Sequence, residues 1–281
     1  MSRIDLWRGI AIATALFAPA VALAETPRWC DPPPGSTAIL PPLEQTAARI
    51  DAGEPLNIIA IGSSSTVGIG ATGPEQTYPS RLQVALRAYF PGLEIHVINR
   101  GISGQDAPEE VARLSADVVA LHPDLVIWQV GTNAVLRRDD LSDDGQWIRE
   151  GVALLKDAGI DVVLMDLQYA PRVLERPSVN MMEDLISDAA DDAHVGLFRR
   201  FALMRYWQHA HPAEAAATIG ADGLHMTDIG YSCLADQLAA ALKANWLSGE
   251  KLARRPHSGS DAVAGLRPEP PALLDRWLGV P

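Results

Sequence analysis

The feature that most constrains this chain is a series of short, almost unbroken apolar segments separated by stretches of helical periodicity. The apolar segments fall at 57–62, 93–99, 124–130 and 161–167, with a short fifth near 195–198. They are apolar throughout rather than at alternate positions, the pattern of strands buried on both faces of a parallel sheet. Between them, 78–89, 108–121, 145–158 and 178–193 have the length of crossover helices, and 228–246 closes the series. In Arg81-Leu82-Gln83-Val84-Ala85-Leu86-Arg87 the apolar positions recur at helical spacing. This alternation predicts an α/β fold, a doubly wound parallel sheet in a three-layer α/β/α sandwich.

Both ends fall outside that pattern. Arg3 and Arg8 frame the start of an apolar run at 9–21, and Ala22-Leu23-Ala24 offers small residues for cleavage. This is the layout of a secretory signal peptide over 1–24. The run is shorter than the roughly 20 residues of a membrane span and carries Pro19. The expectation is export to the periplasm or the medium, with no stable membrane insertion after cleavage. Residues 25–50 are rich in Pro and read as an extended lead-in ending in a short helix. Residues 51–248 form the expected domain. Beyond them, 249–281 accumulates Arg, Pro, Ser and Gly and reads as a loosely ordered tail.

A formal net charge of −12 repels nucleic acid and anionic lipid, and suits a neutral substrate. Cys30 and Cys233 are the two cysteines. Either they pair, tying the lead-in to the last helix, or they remain two partly buried thiols; spacing leaves both open. His209 and His211 are one residue apart, but no third ligand stands at zinc spacing, so no metal is expected.

Three distant segments carry chemistry-bearing residues just past apolar runs or in a late loop. They are Gly62-Ser63-Ser64-Ser65-Thr66, Gly131-Thr132-Asn133 and Asp222-Gly223-Leu224-His225. Strand ends are where an α/β sheet gathers a ligand site. Together the segments supply a hydroxyl nucleophile, an amide donor, a base and a carboxylate to orient it. Ser64 is the expected nucleophile, on the turn from sheet to loop, with Ser63 and Ser65 as its competitors. His225 is the base and Asp222 its support, three residues earlier. Asn133, with Gly104 from Asn99-Arg100-Gly101-Ile102-Ser103-Gly104, supplies the oxyanion side. The sequence Gly68-Ile69-Gly70-Ala71-Thr72-Gly73 matches a dinucleotide fingerprint literally. It begins past the strand and runs into Pro74 instead of opening a helix, so it reads as a flexible loop. A lipase elbow also fails, because Thr66 stands where its second Gly belongs.

In these blocks the chain resembles the SGNH hydrolases, the GDSL-type esterases and lipases, over about 57–246 and in the family's order. The resemblance implies a flavodoxin-like α/β/α sandwich and a serine ester hydrolase without cofactor. Ser64 would attack, His225 would act as base, and Asp222 would support it. The N–H groups of Ser64 and Gly104 and the side chain of Asn133 would form the oxyanion hole. The family's usual Asp in the first block is Ser63 here, and its usual Leu is Ser65, so support around the nucleophile must differ. The expected substrate is a small soluble ester or an O-acetylated carbohydrate. Trp128, Trp147 and Trp207 are weighed as sugar platforms against their more ordinary role as packing aromatics. An O-acyltransferase and a non-catalytic glycan-binding relative are the alternative readings.

Overall fold

The computed structural model of the protein describes residues 27–137 and 140–253, with side chains up to Ser248. The expected signal peptide, 1–24, and nearly all of the expected tail lie outside these residues. The chain opens with helix α1 (Glu44–Ala52), strand β1 (Leu56–Gly62), and helices α2 (Ser64–Val67) and α3 (Tyr78–Tyr89). It continues with β2 (Ile95–Gly101), α4 (Ala107–Asp117), β3 (Leu125–Gln129), α5 (Thr132–Arg137) and α6 (Asp144–Asp157). Then come β4 (Asp161–Met165), α7 (Pro171–Leu174), α8 (Val179–Ala193) and β5 (Gly196–Phe198). The described residues end with α9 (Arg200–Ala210), α10 (Pro212–Ala215) and α11 (Asp228–Ala253).

All strand pairings are parallel, and the sheet order is β2-β1-β3-β4-β5. That is the flavodoxin-like order, whose switch point lies between β1 and β3. Alternate side chains of each strand enter opposite cores. Ile58, Ala60, Leu125, Ile127 and Val163 pack against α3 and α11 through Leu82, Leu86, Leu234 and Leu238. Ile59, Ile61, Val126, Trp128 and Leu164 pack against α4, α6 and α8 through Leu114, Val152 and Ile186. Burial on both sides explains why these strands read as unbroken apolar runs.

Several boundaries differ from expectation. β2 begins two residues later than expected because Leu93 N–H closes a turn onto Phe90 O at 3.1 Å. The expected helix at 108–121 ends at Asp117 and continues as a 3₁₀ turn, Val119–Leu121, with His122 left-handed at φ 48°. α9 and α10 had no counterpart in the sequence reading. α11 runs on to Ala253, past the expected domain end. The Pro-rich lead-in is built into the core rather than laid over it: Cys30, Ile39 and Leu43 are buried. Asn245 on α11 accepts from Leu43 N–H at 2.9 Å and donates to Ile39 O and Pro41 O, both at 2.9 Å. Of the two options for the cysteines, the structure has the bond: Cys30 and Cys233 form a disulfide with a Cα–Cα separation of 5.6 Å.

One buried carboxyl gives the fold a pH dependence. Glu110 on α4 is 1 % exposed, and the Trp128 indole N–H donates to its Oε2 at 2.7 Å. Burial pushes its pKa up to about 8, against the lowering effect of the Trp128 bond and Arg113. The folded state therefore holds a proton that the unfolded chain releases above the ordinary carboxyl range, and stability falls as pH rises from about 4.5 to about 8. Glu110→Gln keeps an acceptor for Trp128 and removes the titration. It is expected to stabilise the protein at pH 8 by about 4 kcal/mol, from about 1.4 kcal/mol per pKa unit between the ordinary value of 4.5 and about 8, and by less than about 1 kcal/mol at pH 5. Urea melts at the two pH values check this. Parallel pH dependences for variant and wild type would show that Glu110 is already ionised in the fold.

Candidate active site

The site lies at the C-terminal ends of β1, β2 and β3. β1 ends at Gly62, whose φ is +153°, and a Cβ there would sit 2.7 Å from Gln129 O. Only glycine lets the strand leave the sheet this close to β3. Ser63 is the N-cap of α2 and Ser64 its first residue. Ser64 thus opens a short helix, rather than sitting on a turn into a loop, and its N–H has no partner within that helix.

Of the three adjacent serines, Ser63 and Ser65 are buried and Ser64 alone is partly open. Its Oγ lies 2.8 Å from His225 Nε2. His225 Nδ1 lies 2.5 Å from Asp222 Oδ2, while Asp222 Oδ1 accepts the N–H groups of Leu224 and His225 at 3.0 Å each. Slight burial raises the Asp222 pKa, but the bonds from the His225 ring and the two amides outweigh it and hold the carboxyl below its ordinary value. An ionised carboxylate can only accept, so Nδ1 carries the proton and Nε2 is left to accept from the Ser64 hydroxyl.

The loop holding this pair is braced on several sides. Gly220 N–H donates to His225 O at 2.8 Å, and Arg172 N–H from α7 donates to Gly223 O at 3.0 Å. The glycine-rich segment after α2, expected to be flexible, is instead stitched to it. Tyr231 OH donates to Ile69 O at 2.8 Å, and Thr72 donates to the Asp228 carboxylate from N at 2.9 Å and from Oγ1 at 2.6 Å. Gly70 has φ +93°, and a Cβ there would run into the Met226 carbonyl oxygen. Its glycines serve close approach to the histidine loop.

The second block joins the first through Ile102 N–H to Gly62 O at 2.9 Å and Asn99 Nδ2 to Thr66 O at 2.6 Å. The third block joins the second. Asn133 Nδ2 donates to Gln105 O at 2.7 Å, and the Arg137 guanidinium donates to Gly104 O. Asn133 thus spends one amide hydrogen on orientation and keeps the other. All five sequence-derived residues, Ser64, Gly104, Asn133, Asp222 and His225, belong to this bonded set of strand-end loops.

Sequence reasoning missed Gln129, the last residue of β3, which is 1 % exposed and faces the turn around Ser63. Its only signal was a polar residue inside the most apolar strand. The sugar-platform reading fails for two tryptophans, since Trp128 and Trp207 are fully buried; Trp147 on α6 is partly exposed. His211 packs on the rings of Trp29 and Tyr206. A cavity of about 550 Å³ opens beside the Asp222 turn, lined by Tyr169, Leu174, Met204, Ile219 and Gly223, but not by Ser64 or His225.

The sheet order and the strand-end site define the class as one with the SGNH-type hydrolase fold. Among solved structures, the chain resembles a two-domain esterase active on acetylated mannans, with TM-score 0.59 and 22% identity over 80% of this chain and 57% of that one. It also resembles an acetylxylan esterase from Geobacillus stearothermophilus, with TM-score 0.57 and 22% identity over 68% of this chain and 95% of that one. These likenesses show the fold. In sequence, it is 30% identical to an arylesterase of Vibrio mimicus over 144 residues, 51% of this chain and 70% of the relative. An acetylxylan esterase of Geobacillus stearothermophilus is 36% identical over 99 residues, 45% of that protein's length. The chain belongs to the non-GDSL lipase-like family, whose profile matches residues 29–246.

Proposed function

We propose that the protein is an exported serine esterase that removes short acyl groups, foremost O-acetyl groups on carbohydrate or on small soluble esters. The observation that carries this reading is the line Asp222–His225–Ser64, with bonds of 2.5 Å and 2.8 Å. In it His225 takes the Ser64 proton as Oγ attacks the ester carbonyl. The oxyanion is met by the N–H groups of Ser64 and Gly104 and by the free amide hydrogen of Asn133. Collapse expels the alcohol, which leaves with the proton from His225. Water, activated by the same imidazole, then releases the acid. Acetyl as the acyl group is supported by the relatives named for acetylxylan and acetylated mannans, and small soluble esters by the arylesterase. Export is supported by the leader-like layout of 1–24 and by a disulfide, a bond that persists in oxidising compartments.

The test is a panel of p-nitrophenyl esters of increasing acyl length beside acetylated xylan and mannan oligosaccharides. The acetyl ester is expected to give the highest kcat/KM, and free acetate is expected from the oligosaccharides. A preference for long acyl chains with no acetate release would overturn the substrate assignment. Transfer of the acyl group to an added sugar, in place of water, would assign an acyltransferase.

A further inference from the structure

One buried amide brackets the nucleophile. Gln129 Oε1 faces three donors: Ser63 N–H and Ser63 Oγ, each at 3.1 Å, and Thr66 Oγ1 at 3.4 Å. Thr66 Oγ1 also lies 3.3 Å from the hydroxyl of the buried Tyr78, which continues the network into the core. The backbone fixes which way the amide points. A peptide N–H can only donate, so the atom facing Ser63 N–H must be oxygen. Both contacts lie beside Ser64, one immediately before it and one two residues after. The first turn of α2 is therefore clamped to the end of β3 at two points, with Ser64 between them.

We propose that Gln129 is the positioning residue of the nucleophile and that Ser63 is its matched partner, the pair doing jointly what a charged residue at 63 cannot do beside this amide. The proposal rests on Ser64 as the nucleophile. An Asp at 63, the residue the first block usually carries, would bring carboxylate oxygens against Gln129 Oε1, acceptor against acceptor. Turning the amide over to offer Nε2 would set its hydrogens against Ser63 N–H, donor against donor. Neither orientation satisfies the buried groups, and unsatisfied groups at this depth shift the turn that carries them. The departure at 63 and the lone polar residue at the end of β3 thus become one feature.

The decisive variant is Ser63→Asp, since it places there the Asp of a GDSL-type block and Asp is a good N-cap. It is expected to lower kcat by about 10- to 100-fold, the scale of a displaced reacting group, with KM changed by less than about twofold. Labelling of Ser64 by a fluorophosphonate should slow in parallel at a temperature where the variant is fully folded, its melting temperature falling by several degrees because buried groups go unpaired. Gln129→Met, close in shape but without the acceptor, should behave likewise, and adding Ser63→Ala to it should cost nothing more. Ser63→Ala alone keeps the backbone bond and should lose less than about fivefold. If Gln129→Met fails to fold, the two Ser63 variants still decide. Wild-type kcat and labelling in Ser63→Asp, or a loss confined to KM, would overturn the proposal. Peptide mapping of the labelled site separates the two readings. A label on a residue other than Ser64 would remove the proposed function itself, whereas a label on Ser64 at wild-type rate in Ser63→Asp would remove only the role of Gln129.

Discussion

Ser64→Ala and His225→Ala are each expected to lower kcat/KM for ester hydrolysis by about 10⁴- to 10⁶-fold, and the double variant no further, because nucleophile and base act as one unit. The hydroxyl is a weak nucleophile until His225 Nε2, 2.8 Å away, can receive its proton as the bond to carbon forms. Without either partner, only the oxyanion donors and substrate binding remain. The fold should not suffer. His225 is held through its backbone by the Gly220 and Asp222 bonds, and the Ser64 side chain is part of neither core. Progress curves on p-nitrophenyl acetate, with melting temperatures alongside, check this. Wild-type turnover in Ser64→Ala would move the chemistry to another residue.

How much of this was legible depended on whether a property was local. The strands were readable because burial on both faces writes itself into composition, and α3 was read at its true limits, Tyr78–Tyr89, because its apolar stripe is regular. α9 was not, because its first residue, Arg200, is fully buried. Nε and Nη2 of Arg200 donate to Asp166 O at 3.0 Å and 2.6 Å. A charge held inside the protein looks, in sequence, like a charge at the surface. The segment 68–73 read as flexible because glycine content reports backbone freedom. What fixes it is Thr72 on Asp228, a bond between residues 156 apart in sequence. The four blocks of the site were visible as motifs, but their bracing was not. Gln129 works only because the turn after β1 folds over the end of β3, and no spacing in the chain announces that meeting.

The same non-local logic governs the disulfide, and its removal is expected to be the largest single loss of stability. Cys30 lies in the Pro-rich lead-in whose Ile39 and Leu43 enter the core, and Cys233 sits on α11 two residues beyond Tyr231, the side chain that holds Ile69. The bond closes a separation of 203 residues. Loop-closure entropy for so long a loop sets a ceiling of about 5 kcal/mol, and 2–4 kcal/mol is typical. The native contacts around Cys30 survive without it: Trp207 Nε1 still donates to Cys30 O at 2.8 Å, and Gln237 to Asp31 Oδ1 at 3.0 Å. The effect therefore acts mainly on the unfolded chain, and the site should keep its geometry. Cys30→Ala/Cys233→Ala is expected to lower the unfolding free energy in urea by about 2–5 kcal/mol while kcat at 25 °C stays near wild type. Dithiothreitol should bring the wild-type curve down to the variant's and leave the variant unmoved. A matching midpoint for oxidised protein and variant would show that the core alone holds the lead-in. A fall in kcat without loss of stability would mean instead that the bond positions α11, and through Tyr231 the loop against which His225 rests.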